Sequence, residues 1–198
     1  MNERLEQFDE LGIHVDFRKG KMINVNGSRF TGSFCEEDMT LEIATGKAVN
    51  NWFPVFIHEC CHSDQWRENS PLWIAATRQE ESKCPYNIVE RETSKKNPDY
   101  KKLHKAVNII RDLELDCEKR AIEEIKKYNL PFDIAKYIQG TNTYMYWHNM
   151  VIIMKRHHGN KWQGITDTKV KNHMPTELQE DYNMMPMEYI ELFIKHGY

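Results

Sequence analysis

The sequence is short of the features that mark membrane proteins, secreted disulfide frameworks and charge-driven nucleic-acid binders. Across its 198 residues no apolar run approaches the roughly 18 uncharged residues that a spanning helix needs. The longest runs lie around Trp52 to Ile57 and Met150 to Met154. Charge is nearly balanced, with 27 Lys+Arg against 30 Asp+Glu and a net of -3, so no basic field advertises nucleic acid or anionic lipid. The five cysteines, at 35, 60, 61, 84 and 117, form an odd set without C-x-x-C spacing. Such a set suits a reduced compartment better than a disulfide framework. The segment Met1 to Asp9 has neither the basic start nor the apolar run of a secretory signal, which makes the cytoplasm the expected location. Repeats, Gly/Ser linkers and low-complexity tracts are missing too, so residues 1–198 read as one domain.

What is present is patterned in two ways. Residues 2–10 suit a short helix, after which Ile13–Phe17, Met22–Val25, Phe30–Phe34 and Met39–Ala44 read as short strands separated by turn residues. These predict a small antiparallel meander over about 11–46, with Met39–Ala44 half-buried or at the sheet edge. From about Asn50 the pattern becomes helical. A helix is expected over about 51–67, capped by Asn50 or Asn51 and with Pro54 in its first turn. A polar, proline-punctuated insertion follows over about 67–97, with a short helix at Leu72–Arg78. Asn97-Pro98-Asp99 opens the longest helix, about 98–128. Helices over Phe132–Ile138 and Asn142–Arg156 and a terminal one over Met187–Lys195 make a helical C-terminal part of about 132–198. The expected class is therefore α+β.

Chemistry concentrates in Val55-Phe-Ile-His58-Glu59-Cys60-Cys61-His62, which contains H-E-x-x-H. On a helix, residues four apart share a face, so His58 and His62 present two imidazoles at the bite of a single zinc ion. Glu59 lies about 100° round the helix from His58, where its carboxylate reaches a metal-bound water without being a ligand, the place of a general base. Catalytic zinc normally takes three protein ligands. The metzincin continuation fails, because Gln65 and Glu68 stand where its Gly and His belong. The long helix offers Glu114, which falls in the gap of the apolar stripe Leu103, Val107, Ile110, Cys117, Ala121 and Ile125. A carboxylate on a core-facing stripe is costly unless a cation meets it; the bland alternative is a stripe-edge charge that reaches solvent or pairs with Arg111 or Lys105. Glu118, one turn on, can accept a proton from a liganding imidazole.

His58-Glu59-x-x-His62 followed by Glu114-Leu-Asp116-Cys117-Glu118-Lys-Arg-Ala121 resembles the gluzincin clan of zinc metallopeptidases. Many of its members carry a second helix with E-x-x-A-D or E-x-E-A-N. The resemblance spans about residues 40–128 and extends to small zincin-like proteins encoded by bacteriophages. It implies a zincin-like fold, peptide-bond hydrolysis with Glu59 as general base, Glu114 as third ligand and Glu118 as the acid that orients a histidine. Cys117 stands for the usual Ala. The orienting acid is Glu instead of Asp or Asn, so Asp116 or Asp112 is an alternative for it, and the long interval to Glu114 implies that residues 67–97 are an insertion at the active-site rim. Zinc is the implied cofactor and a protein or peptide the implied substrate.

Two other readings stay open. One is a zincin-like binding or regulatory protein that holds zinc without turnover. The other is a DNA-associated metalloprotease, since families that repair protein crosslinks on DNA also use H-E-x-x-H, usually with a third His. His104, 148, 157, 158, 173 and 196 are available for that place, His104 being the main rival to Glu114. The basic run Lys155–Lys161 reads as a solvated helix end. Tyr144, Tyr146 and His148 are candidates for stabilising an oxyanion, against the commoner role of such residues as core. Cys60 points away from the histidines and reads as core, whereas Cys61 lies nearer to them. Lys95, Lys96, Lys101, Lys102 and Lys105 read as a wet helix surface.

Overall fold

A computed structural model describes residues 1–25, 27–155, 165 and 167–196. The chain divides into two compact units, Met1–Ser70 with Cys117–Tyr128, and Pro71–Asp116 with Asn129–Tyr198. Its class is α+β, mostly helix with a small mixed sheet.

The first unit opens with α1 (Asn2–Glu10). Gly12, at φ +70°, turns the chain out of that helix in a conformation that side chains other than glycine adopt at a cost. Five strands follow: β1 (His14–Arg18), β2 (Ile23–Val25), β3 (Ser28–Phe30), β4 (Gly32–Cys35) and β5 (Thr40–Ala44). β2 and β3 form a separate antiparallel hairpin, Ile23 opposite Phe30. The main sheet has the order β1-β5-β4, and it is not the expected antiparallel meander. β4 pairs antiparallel with β5, but β1 runs parallel to β5, His14 opposite Thr40 and Arg18 opposite Ala44. The hairpin and β4 occupy the long connection that a parallel pair requires.

That topology places the strand expected to be half-buried or at the sheet edge in the middle, as β5. Leu41 and Ile43 on β5 are fully buried and pack with Phe8, Ile13, Phe56 and Cys60. The sheet face that they occupy is covered by α2 (Val49–Arg67). Ala48, not Asn50 or Asn51, is its N-cap. Pro54 therefore falls in the second turn, where it removes one intrahelical bond. Arg4 ties α1 to α2 through a two-pronged contact with Asp64, Nη1 to Oδ1 at 2.9 Å and Nη2 to Oδ2 at 2.7 Å.

The long helix α5 (Tyr100–Lys127) serves both units, its residues from Cys117 belonging to the first. Asp99 accepts the Lys102 amide at 3.2 Å at its start. Every member of the expected stripe is buried: Leu103, Val107, Ile110, Cys117, Ala121 and Ile125.

In the second unit, the insertion holds the short helix expected at Leu72–Arg78 as α3 (Pro71–Ala76) and a second helix, α4 (Pro85–Thr93). Pro85 opens α4 at its first turn instead of punctuating a loop. Glu92, 1% exposed, accepts from Lys95 Nζ at 2.7 Å and from the Asp99 amide at 2.9 Å, fastening the link into α5. The helices expected at Phe132–Ile138 and Asn142–Arg156 are one helix, α6 (Ile134–Met154), capped by Asp133. Gly140 does not interrupt it. Twelve of its residues are buried, and packing of that extent outweighs the roughly 1 kcal/mol a helical glycine costs. Short α7 (Thr168–Lys171) and α8 (Met187–His196) complete the unit. No helix among the described residues is long and apolar enough to cross a membrane.

Candidate metal centre

The H-E-x-x-H residues lie on the buried middle of α2, where the helix packs on the sheet. His58 and His62 come together as their spacing requires, with ring centroids 4.6 Å apart and planes at 88°. Each ring is held through Nδ1. His58 Nδ1 is 3.2 Å from Glu118 Oε1, and His62 Nδ1 is 2.8 Å from Gln65 Oε1. Carboxylate and amide oxygens accept hydrogen bonds, so both contacts are those of a ring that donates from Nδ1. That is the tautomer a metal-binding histidine needs when an outer oxygen orients it.

Cys117 joins the pair. One ligand atom from each of His58, His62 and Cys117 lies within 4.8 Å of the others. The Cys117 thiol is 3.5 Å from His58 Nδ1 and donates to the His58 carbonyl at 3.2 Å. It packs against the protonated side of the ring and is fully buried. Two imidazole nitrogens and a thiolate are a donor set of a kind that zinc accepts, so these three residues are the candidate metal group among the described residues.

Glu59 is 8% exposed and faces β4. A Cβ added to Gly32 would come within 2.6 Å of Val55 Cγ1, 2.9 Å of Glu59 Cγ and 3.0 Å of Glu59 Oε1. Glycine at 32 is what lets the Glu59 side chain lie directly over the strand. β4 is at one end of the sheet order, so among the described residues no strand pairs with its outer edge. Cys60 lies in the core, where burial pushes its thiol well above the ordinary value and keeps it protonated. Cys61 is fully buried.

The other candidates are placed in the second unit. Glu114 is buried at 6% exposure, and the Tyr86 hydroxyl reaches its Oε1 at 3.5 Å. Asp116 is half-buried and, two residues before Glu118, stands about 200° from it round α5. Asp112 is exposed and lies 3.4 Å from Arg111 Nη2. His104 is exposed, with its Nδ1 3.3 Å from Asn108 Nδ2, which is a surface setting. His173 is also exposed. Residues 156–161, with His157 and His158, lie outside the described residues.

Tyr144 and His148 share a face of α6, ring centroids 4.6 Å apart. His148 Nδ1 donates to the Tyr144 carbonyl at 2.9 Å. Burial lowers the His148 pKa to about 4, so the ring is neutral and its Nε2 accepts instead of donating. Of this pair only Tyr144 carries a donor proton suited to an oxyanion. Tyr146 is a core residue against Tyr182 and Tyr189, its phenol pushed up to about 12, chiefly by burial. Between pH 6.5 and 4 the unfolded chain binds a proton at His148 that the native ring refuses, so stability falls as pH falls through that window. The loss at pH 4 is on the order of 3 kcal/mol. Denaturant midpoints from pH 7 to pH 4.5 should fall less in His148→Gln than in the wild type; parallel curves would show that His148 is not the group responsible.

Residues that sequence reasoning passed over hold the C-terminal segment onto α6 and α5. Asn142 Nδ2 donates to the Pro175 and Glu177 carbonyls at 2.8 and 2.9 Å, and its Oδ1 accepts from the Tyr182 hydroxyl. Asn149 Nδ2 donates to the Tyr182 carbonyl at 2.6 Å. Arg111, 3% exposed, donates to Asn149 Oδ1, the Tyr182 carbonyl and Asn183 Oδ1 at 2.8 to 3.0 Å. Asn142 and Asn149, polar residues in the largely apolar α6, were the available signal. Gln65 is the other omission, and its signal was a polar residue one turn beyond the second histidine.

Compared with family models, curated proteins and solved structures, the chain matches none.

Proposed function

We propose that the chain is a zinc-dependent peptidase of zincin-like fold, with His58 and His62 as metal ligands and Glu59 as general base. The observation that supports this most is the paired orientation of the two imidazoles, each held at Nδ1 by an acceptor oxygen on α2 or α5. A lone surface pair of histidines has no need of two such acceptors, one fully buried and one half-buried. A bound zinc ion supplies Lewis acidity and lowers the pKa of a water toward about 7.

The chain's own residues do the rest. Glu118 and Gln65 hold the rings. The Glu59 carboxylate takes the proton released by the attacking water and delivers it to the leaving amine nitrogen. An extended substrate adds as a strand to the outer edge of β4, whose Gly32 lies against Glu59. β5 cannot take that role, because it is interior and has both edges paired. The third ligand is Glu114 by the resemblance, and Cys117 is the competing donor within the unit that holds both histidines.

The test is cleavage of an unfolded protein mixture. The zinc-loaded protein should cleave it, lose that activity on treatment with a strong chelator, and regain it with added zinc. Zinc bound without any cleavage would assign the chain to the non-catalytic reading. Cleavage that survives chelation would overturn the metal mechanism.

A further inference from the structure

We infer that Gln65 is a positioning residue that sets the tautomer and aim of His62, so that the two histidines are oriented by chemically different partners. The inference rests on the zinc-site reading above and adds a role to a residue that the H-E-x-x-H pattern leaves undefined. Gln65 is fully buried. A buried amide is costly unless its polar atoms are engaged, and its Oε1 is engaged 2.8 Å from His62 Nδ1. The two residues are three apart on α2, so the contact is built into the helix and needs no loop to hold it. The residue's own backbone is tied down as well, since its carbonyl accepts the Ser70 amide at 2.9 Å just beyond the helix end. The neighbouring Trp66 packs on Phe34 of β4 with ring centroids 5.8 Å apart, which fixes this turn of α2 against the sheet.

The consequence is an asymmetric pair. His58 faces the carboxylate of Glu118 at 3.2 Å and His62 faces a neutral amide. A carboxylate raises the donor strength of the imidazole it orients more than an amide does. Gln65 thus fixes the His62 tautomer and ring angle without adding a second negative charge to the buried site. It also occupies the position where the metzincin continuation has glycine, so this chain spends that position on orientation instead of on a turn.

The measurements are zinc affinity by competition with a chromophoric chelator and the His62 tautomer by nitrogen-15 NMR of the zinc-free protein. Wild type should show the proton on His62 Nδ1. Gln65→Met, which keeps the shape and removes the acceptor, should weaken zinc binding about tenfold or more and shift His62 toward the other tautomer. Gln65→Glu, which keeps an acceptor oxygen, should keep the proton on His62 Nδ1. A wild type that binds no zinc overturns both the zinc site and this role. A wild type that binds zinc while His62 carries its proton on Nε2, or while Gln65→Met binds equally well, overturns the role of Gln65 alone. The wild-type tautomer decides the matter even if a variant does not fold.

Discussion

Glu59→Gln should retain the zinc content of the wild type and lose cleavage of unfolded protein by about 10²- to 10⁴-fold, the usual contribution of a positioned general base. The substitution is nearly isosteric, and its small volume change matters because Glu59 Oε1 would lie only 3.0 Å from a Cβ at Gly32. Glutamine fits that space but cannot accept and return a proton. Neither the Nδ1 partner of His58 nor that of His62 is Glu59, so the metal-binding pair is left intact. Equal turnover by the two proteins would remove Glu59 from the mechanism even if zinc is bound.

His58→Ala should abolish stoichiometric zinc, taking the content from about one ion per chain to none detectable by elemental analysis. Half of the imidazole pair is lost, and Glu118 loses the ring nitrogen it meets at 3.2 Å. His58 also places its carbonyl against the Cys117 thiol, a contact that survives the substitution, so circular dichroism should report a folded protein. In the same assay Glu114→Gln and Cys117→Ser identify the third donor, because loss of a ligand should lower affinity more than the roughly 10- to 100-fold that loss of an orienting partner costs. A folded wild type purified from zinc-supplemented medium and free of metal would overturn the site.

How much could be read in advance depended on the range of the interaction. The helix from Val49 and the stripe on α5 follow from periodicity, which is local, and His58 and His62 meet because four residues bring side chains to one face of any α-helix. Glu118 was read from one turn of helical spacing and lies beside His58. Pro85 and Gly140 misled. Proline is at home in a first turn, so Pro85 is as compatible with a helix start as with a loop, while glycine inside a well-buried helix is held by packing that overrides local propensity. The sheet was legible as strands but not as an order. The parallel pairing of β1 with β5 depends on which segments meet across more than twenty intervening residues, and alternation of side chains carries no information about that.

The sequence by itself determined the α+β class, the two principal helices and the spacing that gathers two imidazoles and a carboxylate on α2, because each of these is set within a few residues by backbone geometry. Only the tertiary structure decided the rest. It made β5 the central strand and β4 the edge, set Gly32 beneath Glu59, buried Gln65 against His62 and brought Glu118 and Cys117 to His58. These are contacts between segments far apart in the chain, or choices among rotamers on one helix. Their free energy comes from burial and hydrogen-bond satisfaction that exist only once the layers have packed.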